Sequence, residues 1–99
     1  MIELPEHTEL VRTTREFDEH TVPAGLLAAH RVADGVWGRL VVLDGALSFG
    51  FDDESDERRV AAGDVQVIPP GRLHHLTIDD GVRFVVEFHR PVGTGTVTP

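Results

Sequence analysis

The chain contains no cysteine, so disulfides and thiolate metal sites are both excluded. It contains no lysine either. All nine basic residues are arginine, and 17 acidic residues bring the formal charge to −8. A field of that sign repels phosphate backbones and anionic lipid, which makes nucleic acid and membrane surfaces poor partners. No apolar run approaches the length of a membrane span. Met1–Pro5 lacks the basic and apolar regions of a signal peptide, so the expectation is a cytoplasmic protein. Serine is scarce as well: Ser48 lies within an apolar run and Ser55 within an acidic one, and neither suits a serine–histidine–acid triad.

What is present fits one small folded domain, residues 1–99, with residues 1–8 and 92–99 expected to be loose ends. Apolar residues make up 40% of the chain, enough for a single core, and the 26% of charged residues is an ordinary share. Proline and glycine recur at short intervals (Pro5, Pro23, Gly35, Gly45, Gly63, Pro69-Pro70-Gly71, Gly81, Pro91), which suits many short strands. Only Val22–Ala29 has room for a turn or two of helix. The fold class expected is therefore all-β, a small sandwich or barrel.

Arg39–Phe51 reads RLVVLDGALSFGF, with Asp44-Gly45 between two apolar runs. This is a strong hairpin signature, because a tight hairpin turn needs positive φ at its centre. Paired so, Val42 faces Leu47 and Leu40 faces Phe49. In Val82–His89 (VRFVVEFH), alternation sets Phe84, Val86 and Phe88 on one face and Arg83, Val85, Glu87 and His89 on the other. Val65–Ile68 and His75–Ile78 are two further short strands, and Asp52–Glu57 is an acidic connection. Strands apolar on both faces need two covers, the interior and a partner subunit, so a homodimer is expected.

Six histidines stand at 7, 20, 30, 74, 75 and 89. His7 and His20 sit in polar surroundings and read as exposed. Gly63 to His74 reads G-x5-P-x-G-x2-H, a strand, a rigid Pro-Pro-Gly turn, and a histidine opening the next strand. Such a turn leaves the imidazole little freedom and preorganises it for a metal. His75, one residue on, must point to the opposite face.

That order resembles the second motif of the cupins, with Ile78 in place of the usual asparagine. The first cupin motif is matched in outline by His30 and Gly45. The segments around His30, Gly35-Val-Trp37-Gly38, Pro70–His74 and Glu87-Phe88 are similar to those of the small TehB/YeaR-like, tellurite-resistance-associated cupin domain. The resemblance implies a double-stranded β-helix, or jelly-roll β-sandwich barrel, with a divalent metal. His30, His74 and Glu87 are the expected ligands and His89 is a possible fourth. Zinc or iron suits such a set, and manganese or nickel could replace them. Trp37, Arg39 and Arg72 are candidate contacts for a small ligand, anions among the candidates. Glu87 could instead pair with an arginine.

Three functions follow from this reading. The first is metal-dependent binding of a small molecule. The second is a metal-dependent enzyme, a dioxygenase or isomerase, using open coordination positions. The third is a structural domain in which the histidines merely pack. Methyl transfer is excluded, since there is neither a glycine-rich nucleotide loop nor room for one.

Overall fold

The computed structural model describes residues 2–27 and 30–92. Short segments broken by turns form eight strands among the described residues: β1 (Thr8–Thr13), β2 (Phe17–Asp18), β3 (Trp37–Asp44), β4 (Ala46–Phe51), β5 (Glu57–Ala61), β6 (Val65–Ile68), β7 (His74–Ile78) and β8 (Arg83–Pro91). All pairings among them are antiparallel. One sheet runs β1-β8-β3-β6, with β2 also on β8, and the second runs β5-β4-β7. The helical expectation over Val22–Ala29 reduces to a 3-10 turn at Ala24–Leu26, with Ala28 and Ala29 outside the described residues.

Asp44-Gly45 does not close a hairpin. β3 pairs with β6 and β8, whereas β4 pairs with β5 and β7, so the two runs belong to different sheets. Gly45 does adopt positive φ, at 71°, but uses it to turn a corner between sheets. The backbone partners that a hairpin would supply come from elsewhere: Gly45 O accepts from Ala62 N, and Val42 O from Gly63 N. The apolar pattern still reports burial correctly. Leu40, Val42, Leu47 and Phe49 are all at most 2% exposed, because both strands face one interior from opposite sheets.

Phe84 and Val86 of β8 join that core, with Val60, Leu76 and Val82. Between the β5 and β6 margins lies a groove of about 720 Å³, lined in part by Ile2, Leu4, Phe51, Arg58 and Gln66. Of the expected loose start, residue 1 lies outside the described residues, Ile2 packs on the core and Thr8 opens β1. Of the expected loose end, residues 93–99 lie outside the described residues.

Candidate ligand and metal site

His30 and His74 are 44 residues apart in sequence and meet through the backbone. Each donates its N–H to the other's carbonyl at 2.8 Å. Residues that exchange both bonds in this way send their side chains to the same side of the ribbon. The two rings consequently stand edge to face, with His30 Nδ1 and His74 Nε2 3.4 Å apart. The Pro69-Pro70-Gly71 turn fixes one end of this arrangement, Gly71 N donating to Val32 O at 2.9 Å.

The rings open onto a cavity of about 250 Å³ between the sheets. Its remaining walls are almost wholly apolar, Phe17, Leu26, Val32, Leu40, Leu76 and Phe88 among them, and the Ala24–Leu26 turn forms one side. Among the described residues, Thr14 is the other polar side chain on the lining. Its hydroxyl is engaged, donating to Arg15 O and accepting from Val86 N. The imidazoles are therefore the polar end of an apolar pocket.

Burial holds both imidazoles below the usual histidine range. For His74, the repulsion of a charge on His30 adds to burial and together they outweigh the opposing hydrogen bond to Arg72 O. Both are thus neutral near pH 7. His74 Nδ1 lies 3.2 Å from Arg72 O, and since a carbonyl only accepts, the proton sits on Nδ1. That leaves the Nε2 lone pair facing His30 Nδ1, with a backbone carbonyl behind the ring as in many metal-binding histidines. Phe49 stacks on His74 at 5.4 Å and fixes its plane.

Glu87 and His89 do not join this pair. They lie on the opposite face of β8 from Val86 and Phe88, which point into the core and the pocket. There Glu87 Oε1 accepts from Arg39 and from His89, each at 3.0 Å. Burial opposes its charge, but these two bonds outweigh that and hold the carboxyl below its usual range. The ion pair with arginine, one of the two readings open from the sequence, is the arrangement found.

The expected ligand contacts also lie elsewhere. Trp37 and Arg39 share the outer face with Glu87 and His89, because β3 alternates in register with β8. Arg72 binds Asp53 and Glu54 and lies over the Phe51 ring at 3.6 Å. No group of three potential metal-ligating side chains converges among the described residues. Thr14, Phe17 and Leu26, which do line the pocket, gave no signal in the sequence beyond being polar or apolar.

A family model described as the TehB-like domain matches residues 12–86. The uncharacterised protein YeaR of Escherichia coli K12 is 29% identical over 98 residues, covering 89% of this chain and 82% of its own. A crystal structure of an E. coli K12 protein superposes with a TM-score of 0.81 at 27% identity, covering 92% of this chain and 98% of that one. TehB from Haemophilus influenzae superposes with a TM-score of 0.79 at 18% identity, over 87% of this chain but 32% of that protein. A double-stranded β-helix protein from Klebsiella pneumoniae shares the fold at a TM-score of 0.56 and 15% identity, over 96% and 81% of the two chains.

Proposed function

Starting from the fact that this chain belongs to the TehB-like domain family and has a cupin fold, we propose that it binds a small, mainly apolar molecule in the pocket ended by His30 and His74. The observation that carries this reading is the pair of neutral imidazoles as the polar end of an otherwise apolar cavity. An uncharged ligand suits the site better than an oxyanion, because Arg39 and Arg72 are held by carboxylates away from it.

The donor set fits a divalent ion in part. Two nitrogens each about 2.05 Å from a tetrahedral ion are separated by about 3.3 Å, close to the 3.4 Å between His30 Nδ1 and His74 Nε2. These two residues would hold the ion, His74 through Nε2 and His30 through Nδ1. A bound ion would supply a Lewis-acidic centre with positions left for oxygen or nitrogen donors of the ligand. The residues themselves orient the two nitrogens, surround them with apolar walls, and keep both rings uncharged.

Those unfilled positions also suit a metal-dependent dioxygenase or isomerase. Binding is preferred because, among the described residues, the pocket lining carries no carboxylate to serve as acid or base.

Calorimetric titration with zinc tests the reading in the parent, His74→Ala, His30→Ala and Glu87→Gln proteins, with circular dichroism confirming each fold. Saturable one-to-one binding, lost in both histidine variants and retained in Glu87→Gln, is expected. Binding that survives both histidine changes would overturn the site.

A further inference from the structure

β1 carries a one-residue bulge that decides where an arginine points. Leu10 pairs with His89, but the next pair is Arg12 with Phe88, so Val11 is an extra residue in the strand. In an unbroken ladder Val11 would stand opposite Phe88, and Arg12 would stand opposite Glu87, which already binds Arg39. The bulge instead turns Arg12 to the face of Phe88 and Val86. Residues directly opposite each other send their side chains to the same side. The Arg12 guanidinium accordingly lies 5.1 Å from the centroid of the Phe88 ring. Thr14, two residues on, reaches the lining of the histidine-ended pocket. Phe88 is a half-buried wall of that pocket and Arg12 is exposed, so the cation stands on the solvent side of the wall, at the pocket's mouth.

Arg12 also lacks what most arginines of this chain have. Among the described residues, Arg39, Arg59, Arg72, Arg83 and Arg90 are bonded to carboxylates. Arg58 is held by Val65 O and Gln66 Oε1. Arg12, Arg15 and Arg31 have no carboxylate partner among the described residues, a local excess of positive charge in a chain of −8. Arg15 and Arg31 directly follow the pocket residues Thr14 and His30, so all three belong to the segments that build the pocket.

We propose that the ligand of this pocket is an amphiphilic carboxylate, with its apolar body between the sheets and its carboxylate outside them on Arg12. This rests on the reading of the pocket as a binding site. The body inside stays uncharged, as the apolar walls require. Only the end in solvent is charged, where an arginine presents paired N–H donors to a carboxylate. A cavity of about 250 Å³ is smaller than the ~300–1,000 Å³ of sites for drug-sized ligands, so the body is a short alkyl chain or a single aromatic ring.

Calorimetric titration of the zinc-free protein with octanoate and phenylpropanoate, each beside its uncharged amide, tests the proposal. The parent is expected to bind each carboxylate about 5-fold or more tighter than its amide, and the preference should shrink in high salt as that of an exposed ion pair does. Arg12→Gln should abolish the preference while amide binding persists, and Arg12→Lys should restore part of it. Arg59→Gln removes the same charge from β5 and should keep the preference, which separates a contact at Arg12 from the field of the whole chain. Carboxylate and amide bound equally by the parent, or an undiminished preference in folded Arg12→Gln, overturns the proposal and leaves the pocket as a binding site. Binding of neither class overturns the pocket reading and the proposal with it.

Discussion

Adjacent on β7, His74 and His75 titrate in opposite directions because alternation sends one ring into the core and the other onto carboxylates. His74 is depressed by burial, whereas hydrogen bonds to Asp52 (2.6 Å) and Glu57 (3.0 Å) raise His75. A raised folded pKa means that the stabilisation is complete below the unfolded value of about 6.5 and is lost as pH rises through the folded value. Urea denaturation of the parent and of His75→Gln should therefore differ more at pH 6 than at pH 9. Equal differences at both would remove the clamp from the account. For His30 and His74 the sign reverses. Their neutral forms are favoured, so acidification below about pH 6.5 charges them in the unfolded chain first and costs the folded state stability. Zinc binding should hold at pH 7 and fail on acidification, as a pH series of the calorimetry would show. Gly50 belongs to the same cluster: a Cβ there would lie 2.6 Å from His75 Nε2. Gly50→Ala must displace the imidazole from its carboxylates, at a cost of about 1–3 kcal/mol in urea unfolding.

At the scale of elements, Gly45 carries the corner that joins the two sheets. Its φ of 71° and the 3.0 Å approach of an added Cβ to Val82 Cα leave no room for a side chain. Gly45→Ala is expected to cost about 2 kcal/mol or more by thermal or urea melts, and a neutral change would contradict the corner assignment. This corner also marks where the sequence stops being legible. The runs on either side of Asp44-Gly45 announce buried strands, and Leu40, Val42, Leu47 and Phe49 are buried. A dipeptide that permits positive φ does not say whether the next strand returns beside its predecessor or crosses to the facing sheet. Long-range pairing decides that, through Ala62 and Gly63. The site behaves similarly. The Pro-Pro-Gly turn identified His74, and the family motif identified His30, both of which reach the pocket. Alternation separated Glu87 and His89 from Phe84, Val86 and Phe88, but could not say which face was interior. The strand's aromatic face took the core, and Glu87 found Arg39 across the register.

For the whole molecule, the two sheets divide the labour. Their facing surfaces build the core and the histidine-ended pocket, while the outer surface of the larger sheet holds Glu87 bonded to Arg39 and His89. No helix among the described residues is long and apolar enough to cross a membrane. Glu87→Gln should lower stability by about 1–3 kcal/mol, the worth of hydrogen bonds to a charged group, while leaving the pocket's affinity unchanged. The two surfaces are thus separable by mutation. The most direct measurement is a nitrogen-15 NMR titration of the histidine rings with one equivalent of zinc. His30 Nδ1 and His74 Nε2 are expected to shift together as the metal-bound nitrogens, with His75 and His89 unmoved. Shifts confined to His89, or to the exposed rings of His7 and His20, would contradict the assignment of the pocket as the binding site.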